Sequence, residues 1–187
     1  MDVQEFSVIG LKLIKPQVFE DKRGYFLESF NKNVYTSVGI ARDFVQDNES
    51  FSARGTLRGL HFQTGDYAQA KLVRVISGEV LDVAVDLRLG SPTYGEHISV
   101  VLSGENKNQF FIPKGFAHGF VVLSDTAIFS YKCDQFYNPP SESGIIFNDP
   151  DLDIDWRIPV GEIILSDRDK QWGTFASYNS GSHRFRY

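Results

Sequence analysis

The sequence predicts an all-β domain, a sandwich, jelly roll or barrel with few helices, and three observations carry that prediction. Turn-forming stretches recur at short intervals along the 187 residues, among them EDKRG, SARGT, QTGD, LGSPTYGE, SGENKN, NPPSESG and NDPD. Between them lie short alternating or apolar runs, the spacing of strands joined by turns. Aromatic residues make up 14% of the chain, and such side chains fit a pleated, half-buried surface.

In chain order, NKNVYTSVG (31–39) predicts a short helix. TLRGLHFQ (56–63) reads as a strand interrupted by Gly59. KLVRVISG and EVLDVAVDLR follow as two further strands. In the second, Leu81, Val83, Val85 and Leu87 face one way and Asp82, Ala84 and Asp86 the other, the two-residue period of a strand. HISVVLS, QFFIP, GFVVLS and AIFSYKC repeat the pattern, and DRDKQWGTF (167–175) suits a turn or two of helix. The closing ASYNSGSHRFRY has no clear period and is expected to be a mobile tail or a packing arm. No repeat, low-complexity tract or linker divides the chain. The expectation is one domain over 1–187, with a C-terminal tail after about 172.

Composition narrows the function. A net charge of −5 argues against a nucleic-acid partner, which would want a basic face, but leaves room for local cations that hold a small anionic ligand. The single cysteine, Cys133, can form neither an internal disulfide nor a multi-cysteine zinc site, and suits a reducing cytoplasm. No apolar run approaches the roughly 18 residues of a membrane span. The N-terminus MDVQEFSVIG lacks the basic start and apolar stretch of a signal peptide.

In a small β-barrel, inward side chains fill the interior or line one ligand cavity, so inward polar residues are the informative ones. Of four histidines, His97 sits beside a turn and His183 in the tail, and both read as surface residues. His61 and His118 differ. His118 lies in IPKGFAHGF, a Pro/Gly turn feeding a strand. His61 follows Arg58 in the glycine-interrupted strand. Strict alternation would put Arg58 and His61 on opposite faces, but a bulge at Gly59 would turn both into one cavity. Further candidates are Arg23, Phe26 and Glu28 in EDKRGYFLESF, Gln46 and Asn48 in VQDNES, Lys71, Tyr131, Glu142, and Arg168 and Asp169 in LSDRDKQW. Singly, each has an ordinary reading as surface charge, turn residue, snorkelling lysine or packed tyrosine. Together they supply a general base with a carboxylate to orient it, a cation for an enolate oxygen, a proton donor, and arginines for a diphosphate. No P-loop, nucleophile elbow or dinucleotide fingerprint accompanies them.

The segments DKRGYFLESF, FVQDNESFSARGTLRGLHFQ, QAKLVRVISGEVLDVAVDLRLGSPTYG, IPKGFAHGF, YKCDQFYNPPSESGIIFNDPDLDIDW and LSDRD occur in one order from about residue 6 to about 170. In this the sequence resembles the dTDP-4-dehydrorhamnose 3,5-epimerase family, dTDP-sugar epimerases of the cupin superfamily. The resemblance implies a cupin-type jelly-roll β-barrel and an isomerase acting on a dTDP-linked 4-keto-6-deoxyhexose, with no cofactor and no metal. It implies His61 as the base, Asp169 as its partner, Lys71 at the developing O4 oxyanion and Tyr131 as the acid on the opposite face of the sugar. Arg23, Phe26, Glu28, Gln46, Asn48, Arg58, His118, Glu142 and Arg168 match substrate-contacting positions, with Arg23 and Arg58 assigned mainly to the diphosphate and Phe26 packing near the base. Asp167 stands close enough to Asp169 to compete as the histidine's partner. Arg157 replaces a proline frequent in the family, and the tail follows none of its motifs.

The resemblance further implies a homodimer in which residues near the N-terminal motif complete the partner's site. It also leaves rivals: an epimerase acting at one carbon only, a metal-dependent cupin, or a sugar-nucleotide-binding jelly roll without catalysis. The metal reading wants a second histidine two residues after His61, where Gln63 stands. The binding-only reading does not need the acid–base set.

Overall fold

The structure is a computed structural model that describes residues 1–181 and 184–187, so His183 lies outside the described residues. Its strands, in chain order, are β1 (Asp2–Glu5), β2 (Lys12–Lys15), β3 (Val18–Asp21), β4 (Gly24–Leu27), β5 (Gln46–Ala53), β6 (Leu57–Gln63), β7 (Lys71–Ser77), β8 (Glu79–Asp86), β9 (Arg88–Leu89), β10 (His97–Ser103), β11 (Gln109–Ile112), β12 (Phe116–Val122), β13 (Thr126–Cys133), β14 (Glu142–Gly144) and β15 (Phe185–Arg186). Six of them form an antiparallel sheet in the order β1-β2-β11-β7-β13-β5, and five form a second in the order β10-β8-β12-β6-β14. The expected jelly-roll barrel is the result.

The two sheets share one apolar interior. Leu13, Val73, Val75, Phe110 and Phe129 from the first meet Val80, Ala84, Leu102, Phe116 and Phe120 from the second. A second core forms behind the five-stranded sheet, where Leu81, Val83, Val85 and Leu87 pack under Ile145, Phe147, Leu152, Trp156 and Phe175. Strand β8 is therefore buried on both faces, and the inward row expected to carry Asp82, Ala84 and Asp86 is as dry as the apolar one. Each buried carboxylate there has partners. Asp86 takes hydrogen bonds from Arg88, Ser91 and Thr93, and Asp82 meets His118.

The helix expected at 31–39 is α1 (Lys32–Ser37), started by Asn31, whose side chain accepts from the backbone N–H of Asn33 and Val34. It lays Tyr35 against Ile14, Leu72 and Phe111 on the outer face of the six-stranded sheet. The stretch 167–175 holds one 3₁₀ turn, Asp169–Gln171. No helix among the described residues is long and apolar enough to cross a membrane.

The end of the chain is better ordered than its lack of period suggested. Helix α2 (Phe175–Ser180) is capped by Thr174, and the Phe175 N–H donates to the buried Asp149 carboxylate. Strand β15 pairs in parallel with β9, and Phe185 and Tyr178 both pack edge-on against Phe62. Of the two alternatives, the packing arm is the one found for the described residues. Its anchoring is tertiary: a handful of aromatic contacts from a segment too short to show a period.

The irregularity expected at Gly59 is present. The register between β6 and β12 slips between His118 and Phe120, and Gly59 has a φ of 138°. A Cβ there would lie 2.5 Å from the Gly119 Cα and 2.8 Å from the His118 carbonyl oxygen. Only glycine lets these backbones approach so closely. Gly59→Ala is expected to cost about 3 kcal/mol or more of stability; urea unfolding of the variant against the wild type checks this.

Candidate active site

The bulge turns Arg58 and His61 into one cavity of about 480 Å³ between the two sheets. His61 comes from β6 in the five-stranded sheet, whereas Lys71 on β7 and Tyr131 on β13 come from the opposed six-stranded sheet. Glu142, from β14, and Arg168 and Asp169, from the segment after Ser166, close the rim. A second cavity of about 330 Å³ shares His61, Lys71, Tyr131 and Glu142 with the first and continues past Gln46 and Asn48.

The histidine's partner is settled by geometry. His61 Nε2 lies 2.5 Å from Asp169 Oδ1, while Asp167 is exposed and pairs with Lys170. Asp169 is held from three directions. The Ser166 hydroxyl donates to Oδ2 at 2.9 Å, and the Trp172 indole N–H donates to Oδ1 at 3.2 Å beside the histidine. Burial alone would push the Asp169 carboxyl up, but hydrogen bonds from His61, Ser166 and Trp172 outweigh it and hold the group below the usual carboxylate range. A carboxylate so held orients His61 through Nε2 and leaves Nδ1 as the ring's free nitrogen.

The facing wall is tuned by burial. Burial pulls the Lys71 ammonium below its ordinary range, opposed by the negative fields of Asp82 and Glu142. Lys71 Nζ lies 6.0 Å from the centre of the Tyr131 ring. Burial raises the Tyr131 phenol, against the pull of Arg58, and so keeps it protonated as a donor. The Cys133 thiol is pushed up to about 11 by burial and stays protonated.

Polar groups at the rim are tied to one another. Arg168 pairs with Glu142 at 2.5 Å, and the Tyr137 hydroxyl donates to Glu142 Oε2 at 2.6 Å. Arg58 Nε donates to Ser52 Oγ at 3.1 Å, which steadies an otherwise exposed guanidinium. His118 lies on the cavity floor, hydrogen-bonded to Asp82. His97 starts β10, partly buried, at the strand end where it was expected.

Three expected residues are not gathered here. Arg23, Phe26 and Glu28 belong to the β3–β4 hairpin and its exit, outside both cavities. The Arg23 guanidinium binds Asp21, Phe26 is 67% exposed, and Glu28 accepts from Asn31. Conversely, Ser50, Ser52, Tyr137, Ser166 and Trp172 belong to the site and were not singled out. For the first two the signal was there: Gln46, Asn48, Ser50 and Ser52 alternate along β5 and share one face. For Tyr137, Ser166 and Trp172 the sequence carries no comparable pattern. Among the described residues no three His, Cys, Asp or Glu side chains come together as a metal site.

A β-barrel cavity with an oriented histidine on one wall and a half-buried lysine and tyrosine on the other defines an acid–base enzyme of the jelly-roll class. A family model described as dTDP-4-dehydrorhamnose 3,5-epimerase matches residues 5–177. A dTDP-4-dehydrorhamnose 3,5-epimerase of Methanothermobacter thermautotrophicus is 54% identical over 89% of this chain and 90% of its own. The crystal structure of the enzyme of that name from Elizabethkingia anophelis superposes with a TM-score of 0.90 at 52% identity, covering 95% of this chain and 97% of that one. A dTDP-6-deoxy-D-glucose-3,5-epimerase from Legionella pneumophila, in complex with dTDP-4-keto-L-rhamnose, superposes with a TM-score of 0.92 at 48% identity over 100% and 98% of the two chains. The chain belongs to the dTDP-4-dehydrorhamnose 3,5-epimerase family.

The lowered Asp169 carboxyl contributes stability that is complete above the ordinary carboxylate range and is lost as pH falls through the folded value. Asp169→Asn should therefore destabilise the protein by about 2 kcal/mol at neutral pH. The gap should close as pH falls below the ordinary carboxylate range and through the folded value, where the wild-type group is protonated too. Thermal melts of both proteins across this range check it.

Proposed function

We propose that this protein converts dTDP-4-dehydro-6-deoxy-D-glucose to dTDP-4-dehydro-L-rhamnose by inverting C3 and C5, a step in making dTDP-L-rhamnose. The observation that carries the reading is the placement of His61, oriented by Asp169, and Tyr131 on opposed sheets across one cavity. Both carbons flank the C4 ketone, so their protons are acidic once the enolate is stabilised. His61 Nδ1 takes the proton, and the Asp169 carboxylate stabilises the imidazolium that results. The Lys71 ammonium stabilises the charge that develops on O4. Tyr131 returns a proton from the other face, and the carbon inverts. Arg58 and Arg168 at the rim suit the diphosphate. Gln46 and Asn48 offer amide groups to the remainder of the nucleotide sugar, and the half-exposed Tyr137 ring beside them offers a flat face to a base.

The active species is a homodimer in the cytoplasm. The β3–β4 hairpin exposes Phe19, Tyr25 and Phe26, and its arginine has no place in its own chain's cavity. A second copy of the chain would cover those aromatics and receive Arg23 at the edge of its site.

Proton NMR of the ketosugar incubated with the protein in D₂O tests the chemistry. Deuterium is expected at both C3 and C5. His61→Ala should abolish the exchange, and Tyr131→Phe should impair inversion more than proton removal. Exchange at one carbon alone would overturn the double inversion. The shared site makes a separate prediction. Arg23→Ala and His61→Ala each lose activity, but mixed dimers carrying one defect per chain should regain it, because one site then holds both native residues. Co-expression with two affinity tags checks this, and an inactive mixed dimer would place Arg23 in its own chain's site.

A further inference from the structure

The cavity floor holds a second histidine–carboxylate pair that the proton-transfer scheme does not use. His118 on β12 is the register partner of His61 on β6, so the two imidazoles stand side by side on neighbouring strands. His118 Nε2 lies 3.0 Å and 2.9 Å from the two oxygens of Asp82. Asp82 is fully buried, on the inward face of β8, in the row that also contributes Val80 and Ala84 to the apolar interior. A carboxyl group placed there is costly unless it has a task.

The geometry says what that task is. A single ring nitrogen set between two carboxylate oxygens is placed as the donor, with the carboxylate as the acceptor. Burial pushes His118 towards its neutral form, against the pull of Asp82. With Nε2 committed as a donor, Nδ1 is bare. It has no hydrogen-bond partner among the described residues, and the ring lines the cavity. The stacked Phe129 ring on its flank limits rotation of the imidazole.

We infer that Asp82 is a positioning residue that fixes His118 as the Nε2–H tautomer, so that Nδ1 accepts a hydrogen bond from a hydroxyl of the hexose. His118 then reads a donor on the sugar and does not donate to the diphosphate. The inference rests on the proposed function for the identity of the ligand, but the tautomer itself does not. It also separates the two histidines. His61 must gain a proton in turnover, whereas His118 keeps one hydrogen-bonding sense throughout.

Long-range ¹H–¹⁵N NMR of the labelled wild-type protein at neutral pH is the test. The expected His118 pattern is a protonated Nε2 and an unprotonated Nδ1. Asp82→Ala should give a mixture of tautomers and raise KM about tenfold, the size of one hydrogen bond. Asp82→Asn, whose amide oxygen can accept the same N–H, should restore the tautomer and most of the affinity. A protonated Nδ1 or an imidazolium in the wild type would overturn the inference, and that spectrum decides the matter even if Asp82→Ala fails to fold. So would an Asp82→Ala protein with unchanged tautomer and KM. The expected tautomer in a wild type that does not turn over the ketosugar would instead overturn the functional reading, and the hexose as ligand with it.

Discussion

The hydrogen bond between His61 and Asp169 joins residues 108 positions apart, and the arrangement of the site depends on it. It pins the segment after Ser166 to β6, so the rim of the cavity and its base are fixed by the same contact. Asp169 tolerates burial because Ser166 and Trp172 share it, and the Trp172 indole lies edge-on to the His61 ring. Losing the carboxylate would free the imidazole and loosen the rim together. Covering the five-stranded sheet with residues 145–175 follows the same logic, because that second core brings the chain back to the cavity.

Around this contact the barrel holds charge under control. Lys71 is half-buried, has no close anionic partner among the described residues, and is balanced at longer range by Asp82 and Glu142. Such a cation is costly in the resting protein and gains most when negative charge develops beside it. Tyr131 is kept protonated by the same burial. In the proposed mechanism the six-stranded sheet carries the cation and the proton donor, and the five-stranded sheet carries the base. The two sheets of a jelly roll supply two faces for a reaction that removes a proton from one side and returns it on the other.

Much of this was legible in the sequence. Short alternating runs between turns pointed to a sandwich, jelly roll or barrel, the family resemblance to the jelly roll, and Gly59 between Arg58 and His61 to the bulge. The order of motifs gave the family. The choice between Asp167 and Asp169 was not legible, because which of two nearby carboxylates turns inward where the chain enters the 3₁₀ turn is decided only by the fold. Trp172 and Ser166 were hidden for the same reason, as their roles are contacts and not patterns. The sequence left the tail open between a mobile segment and a packing arm because a few aromatic contacts with Phe62 and one strand pair leave no period. The hairpin residues Arg23, Phe26 and Glu28 show the converse: their motif is legible, yet a single chain does not bring them to its cavity.

The most direct test of the account is a crystal structure of the wild-type protein with a dTDP-4-keto-6-deoxyhexose or a non-reacting analogue bound. The account predicts the hexose between the two sheets, with His61 Nδ1 against one face of the ring at C3 or C5, Tyr131 Oη against the other, and Lys71 Nζ at O4. A sugar bound with His61 and Tyr131 on the same face, or lying outside the cavity they enclose, would contradict it.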